Sequence, residues 1–159
     1  MLDPALTDIG VGTAKVGTGL RRWVVIFASK DVPTNGTVTE MLNTLNDYRA
    51  AHGAPAFTIN DNLAIVAQAQ ADHNASVQAN EAATGGVDLQ AQVDTTGYTY
   101  GTMMWTLANG GTDTALGLWT DTPTEATNMQ RPELTDVGIG VASGGTKQWW
   151  VVIYAEPTP

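Results

Sequence analysis

The groups in this chain that titrate near neutral pH are two histidines, His52 and His73, and the carboxylate with the most defined local setting is Glu125, in Thr122-Pro123-Thr124-Glu125. An imidazole and a carboxylate within hydrogen-bond reach of one substrate atom form a general acid–base pair, and three or four N or O donors converging at roughly 2.0–2.2 Å hold a zinc-like ion. Glu125 reads either as an acid in a cleft or as the third residue of a Thr-Pro helix start. There a carboxylate caps free amides and meets the positive end of the helix dipole. The capping reading is preferred. His73, next to Asp72 and upstream of Glu81, reads as a solvated helix-face residue rather than a ligand. His52 ends a predicted helix, where an imidazolium suits the last carbonyls. Neither Ser76 nor Ser143 lies in a Gly-x-Ser-x-Gly elbow, so no serine nucleophile is indicated.

Two further groups have chemical potential. Asp8 and Asp136 each begin an Asp-x-Gly-x-Gly run, which suggests either paired carboxylates or turn chemistry, and the turn reading is simpler. The Gly-x-Gly lacks the third glycine and the following helix of a dinucleotide fingerprint. Met103, Met104 and Trp105 form an aromatic and thioether cluster that suits an apolar ligand. Core packing is the preferred reading for all three.

The elements that carry these residues include a duplication. Met1 through Gly12 returns as Met129 through Gly140, and Trp23-Val-Val-Ile-Phe-Ala28 returns as Trp150-Val-Val-Ile-Tyr-Ala155. The intervening helical stretch has no second copy. Residues 1–30 are therefore read as a hairpin repeating the end of a unit, 31–36 as a turn-rich linker and 37–156 as the unit itself.

Within the unit, Thr37-Val-Thr-Glu40 has the form of a capping box, and Val38, Met41, Leu42, Leu45 and Tyr48 predict a helix over about 38–51. Asn60 caps a second helix that fades near Asn80. The Gly-, Thr- and Gln-rich stretch from Gly85 to Gly111 reads as the least regular region, with a short strand around 98–107. Ala115, Leu118 and Trp119 mark another helical turn or two, and Thr122 opens a short helix to about Gln130. The runs 136–142 and 148–155 predict a hairpin, and Trp149 to Tyr154 is apolar enough for a strand covered on both faces.

Composition limits partners. The formal charge is -9 and no basic stripe interrupts it, which disfavours nucleic acid and anionic membrane surfaces. No run approaches the length of a membrane span. The absence of cysteine rules out disulfides and thiolate-bound zinc.

Leu42 through Gly53, Leu63 through Ala69, Gly97-Tyr98-Thr-Tyr100, Trp119 through Met129 and Thr135 through Gly140 fall in the order of the bacterial CAP, or SCP-like, superfamily, which this chain resembles over about 38–155. That superfamily includes cysteine-rich secretory proteins, antigen-five allergens and plant pathogenesis-related proteins. The resemblance implies an α+β fold, a three-layer alpha-beta-alpha sandwich with a mainly antiparallel central sheet, here preceded by the extra hairpin. It also implies an extracytoplasmic location, secreted or at the cell surface. In many members a cleft carries two histidines and two acids that hold a divalent cation.

Carried over residue by residue, that set is depleted. The family's Gly-Glu-Asn segment falls on Met104-Trp105-Thr106, so its glutamate is Trp105. Its Ser-Pro-Gly-His segment falls on Thr122-Pro123-Thr124-Glu125, so that histidine is Glu125. A Ser-His pair falls near Ala82 or Ala83, and another histidine on Gln70. One carboxylate does not make a metal site, so no cofactor or tight metal is expected. The resulting expectation is a binding or interaction module without catalysis, with Trp105, Met103, Met104 and Glu125 as candidate ligand-binding residues. An apolar small molecule or a protein is the expected partner, and a homodimer through the N-terminal hairpin a further one. The alternatives are a metal-assisted hydrolase of peptides or esters and a purely structural unit of a tandem surface protein.

Overall fold

A computed structural model describes residues 8–16, 20–28, 36–80 and 88–158. The chain divides into two compact units, Met1–Val32 and Pro33–Pro159. The first contains strands β1 (Asp8–Val16) and β2 (Leu20–Ala28), paired antiparallel from Asp8 with Ala28 to Val16 with Leu20. Its described side chains are those of Val11 and Val25. The expected linker residues 31–35 lie outside the described residues, as do Glu81, Ala82 and Ala83.

The second unit begins with Gly36, which is buried rather than part of a free linker. Its N–H donates to Gln148 Oε1 at 3.0 Å, and its carbonyl accepts from Gln148 Nε2 at 3.3 Å. Helix α1 (Val38–Ala51) then starts at the capping box, with Thr37 N–H donating to Glu40 and Glu40 N–H donating to Thr37 Oγ1 at 3.2 Å. It ends at His52 and Gly53, whose φ of 74° is cheap only for glycine. Strand β3 (Thr58–Ile59) leads into α2 (Asp61–Val77), where the Asn60 side chain accepts from the N–H groups of Asn62 and Leu63.

The stretch expected to be least regular contains α3 (Leu89–Thr95), capped by Asp88, and then β4 (Tyr100–Asn109). Helix α3 escaped the sequence because it buries only Leu89 and Val93 among Gln, Ala and Thr. Next come α4 (Thr112–Thr120) and α5 (Pro123–Met129). The expected capping box at Thr122 does not form. Its hydroxyl donates to the Leu118 carbonyl at 3.0 Å and makes no cap hydrogen bond. Strands β5 (Asp136–Gly144) and β6 (Lys147–Pro157) close the unit.

The four strands lie in the order β3-β5-β6-β4, antiparallel except for the short β3–β5 pair. This is the expected alpha-beta-alpha sandwich. One apolar cluster fills the face under α1, α4 and α5, with Met41, Leu45, Trp119, Met129, Ile139, Trp150, Val152 and Tyr154. The other lies under α2 and α3, with Leu63, Val66, Ala67, Leu89, Val93, Val151 and Ile153. Because β6 feeds both clusters, Trp149 through Ala155 is buried at every position, as the unbroken apolar run predicts.

The Gly-x-Gly of β5 allows α2 to approach. A Cβ on Gly138 would collide with the backbone of Leu63, one on Gly140 with the Ala67 carbonyl, and one on Gly144 with the Ala75 carbonyl. Four helical residues advance about 6 Å and two strand residues about 6.7 Å, so the two repeats stay nearly in step over three contacts. The glycines are thus a packing device.

Candidate functional site

Strand β4 forms one edge of the four-stranded sheet, and its alternation divides the predicted site residues. Cross-strand partners share a face. Met104 stands opposite Tyr154 and Thr106 opposite Val152, on the side of α1, α4 and α5. Met103 stands opposite Ala155, Trp105 opposite Ile153 and Leu107 opposite Val151, on the side of α2 and α3. The sequence cluster Met103-Met104-Trp105 therefore does not line one groove. Met103 and Trp105 share a face and Met104 faces the opposite layer.

On the Met104 side, Arg49 organises the interior. Its buried guanidinium donates to the carbonyls of Pro55, Met129 at 2.6 Å, Arg131 at 3.2 Å and Leu134 at 2.9 Å. It also lies 3.8 Å from the Phe57 ring centroid, and Phe57 stacks on Tyr154 at 5.1 Å. Burial pulls Arg49 below its ordinary value, opposed by Tyr154 and Glu133. Burial pushes the Tyr154 phenol well above its ordinary value, Glu125 pushes it the same way and Arg49 opposes both. The Tyr154 hydroxyl and Thr106 Oγ1 are both buried without a protein hydrogen-bond partner.

Glu125 is thus a half-buried carboxylate acting electrostatically on Tyr154 rather than half of a capping box. At the rim, Arg131 bonds Glu133 at 2.7 Å and reaches Met104 Sδ at 3.7 Å, while Gln130 donates to Tyr48 Oη at 2.7 Å. The backbone and Arg131 together draw Glu133 below its ordinary value.

The two histidines belong to different layers, His52 to that of α1 and His73 to that of α2. His52 caps α1, with Nδ1 2.8 Å from the Tyr48 carbonyl and its ring 4.3 Å from the Tyr48 ring. His73 is on α2, in the helix layer opposite the one that carries Glu125. Gln70 is buried and donates to Asn74 at 2.7 Å. Among the described residues no group of three or more His, Asp or Glu is placed to hold a metal ion. Trp105 and Glu125, the positions carried over from the family's glutamate and histidine, belong to opposite faces of the sheet.

On the other side, Trp105 is 36% exposed in the middle of the edge strand. Met103, Leu107, Tyr98 and Tyr100 flank that face, half-buried against the α2/α3 cluster. The two tyrosine rings stack at 6.1 Å. Each phenol is anchored, Tyr98 to Asp136 at 2.9 Å and Tyr100 to Asp94 at 2.7 Å. Burial first, and then the bond to Asp136, push Tyr98 above its ordinary value. Sequence reasoning passed over this tyrosine shelf, although Gly97-Tyr98-Thr-Tyr100 was the signal for it. The arrangement offers an apolar, polarisable platform beside an open strand edge, which suits binding rather than proton transfer.

The family model described as the cysteine-rich secretory protein family, CAP, matches residues 42–154. No curated protein is matched by sequence. Among solved structures, a cysteine-rich secretory protein from Staphylococcus aureus is similar with a TM-score of 0.60 at 17% identity, over 85% of this chain and 42% of that one. An outer surface protein of Borrelia burgdorferi gives a TM-score of 0.61 at 12% identity, over 76% of this chain and 92% of that one. An extracellular SCP-domain protein from Bacillus anthracis gives 0.61 at 14% identity, over 84% and 47%. At these identities the likeness is one of fold. The chain spans less than half the length of the Staphylococcus and Bacillus proteins.

Proposed function

The chain belongs to the cysteine-rich secretory protein (CAP) family, and from that premise we propose that it is an extracytoplasmic binding module that takes an apolar ligand along the β4 edge. The observation that carries this reading is Trp105. A large aromatic stands 36% exposed on an edge strand, with Met103 and Leu107 on the same face and the Tyr98–Tyr100 shelf beside them. Exposed aromatics of this kind, backed by a fixed wall, lose little entropy on binding and gain area. A fatty acyl chain or sterol matches the chemistry.

Location outside the cytoplasm is supported by the relatives described as secretory, outer-surface and extracellular. A non-catalytic role is supported by the separation of His73 and Glu125 into opposite helix layers. Among the described residues, no helix is long and apolar enough to cross a membrane.

Tryptophan fluorescence titrated with fatty acids and sterols tests the reading. The chain has five tryptophans, so Trp105→Phe assigns the signal. A saturable change that Trp105→Phe abolishes is expected. No saturable change with either class, or one that Trp105→Phe leaves intact, overturns the reading.

A further inference from the structure

The N-terminal hairpin repeats β5–β6 rung for rung. Asp8 pairs with Ala28 as Asp136 pairs with Ala155, Gly10 with Ile26 as Gly138 with Ile153, and Gly12 with Val24 as Gly140 with Val151. Between these rungs, Val11 pairs with Val25 as Ile139 pairs with Val152. The duplication is therefore one of strand register as well as of sequence.

The environments differ. Ile139 and Val152 are 2% and 0% exposed beneath the helices of one layer, whereas Val11 and Val25 are 58% and 46% exposed. A pair that is covered in β5–β6 is thus exposed on a two-stranded sheet, an element of marginal stability alone.

Charge identifies what would cover it. Residues 1–32 carry Lys15, Arg21, Arg22 and Lys30 against Asp3, Asp8 and Asp31, a net +1. The other three cations and thirteen acids of the chain belong to residues 33–159, a net -10. By strand alternation the Lys15–Arg21 rung shares the face of Val11 and Val25, while Arg22, paired with Ala14, belongs to the other face.

We infer that the hairpin is a self-association element, its Val11/Val25 face and the Lys15–Arg21 rung on that face docking on the acidic body of a second copy of this chain. Apolar burial supplies the attraction at contact and charge orients the approach.

Light scattering and sedimentation of the full chain over a range of concentrations test this, with three proteins compared: the parent, the Val11→Asp/Val25→Asp variant and the Lys15→Glu/Arg21→Glu variant. A dimer is expected for the parent, weakened at least about tenfold in each variant and by added salt. Unchanged melting of the body in each variant excludes a folding defect. A parent that stays monomeric overturns the inference, as does a dimer that neither variant weakens. A dimer lost only in the valine variant and indifferent to salt overturns the acidic body as the docking surface.

Discussion

The phenol of Tyr98 donates to the carboxylate of Asp136 at 2.9 Å, and the same Asp136 oxygen accepts from the Asn60 side chain at 2.9 Å. One carboxylate at the start of β5 therefore ties the cap of α2 to the aromatic shelf beside β4. Hydrogen bonds to a charged acceptor contribute about 1.5–3 kcal/mol each. Asp136→Ala is expected to lower stability by about 3 kcal/mol and Tyr98→Phe by about 1.5 kcal/mol. Urea denaturation measures both, and a double-mutant cycle should show strong coupling between them.

Tyr154 provides the opposite case. Its hydroxyl is fully buried without a protein partner, so Tyr154→Phe removes a desolvated group and keeps the stack on Phe57. Stability should be unchanged or rise by up to about 1 kcal/mol. A loss larger than that would mean the hydroxyl is satisfied by a guest in the fold.

Both phenols ionise less readily in the folded state than in the unfolded chain. The stability this contributes is fully present below about pH 10, where unfolded tyrosine begins to ionise, and is lost as pH rises toward the folded values. Thermal melts should show stability falling above about pH 10, less steeply in Tyr98→Phe. Tyrosinate absorbance should show these two side chains ionising only with unfolding.

The glycines of β5 and α4 should respond in opposite ways. Gly140→Ala would drive a Cβ into the Ala67 backbone and should cost about 3 kcal/mol or more. Gly117, inside α4, has nothing within 4 Å of its added Cβ, so Gly117→Ala should stabilise by about 0.5–1 kcal/mol. Chemical denaturation of the two variants side by side checks the contrast.

Much of the frame was legible because its signals are local. The Thr37–Glu40 box, the Asn60 cap and the apolar run of β6 each state their own structure within a few residues. The site was less legible because its geometry depends on partners distant in sequence. Strand alternation alone parts Met104 from Trp105, but which layer each meets depends on β6. Thr122 and Glu125 spell a capping box, yet the Leu118 carbonyl takes the hydroxyl. Nothing within Asp136-Val-Gly-Ile-Gly140 announces that a helix seventy residues earlier needs the space, though the small-residue stripe Ala67, Ala71, Ala75 was its counterpart.

The apolar ligand proposed above lies on the Trp105 face of β4 rather than on the Glu125 side of the sheet. Photo-crosslinking with a diazirine-bearing fatty acid, followed by peptide mass spectrometry, reads that choice directly. Saturable labelling within residues 98–109 that falls sharply in Trp105→Ala is the predicted result. Labelling concentrated in residues 122–131, or no saturable labelling at all, would contradict it.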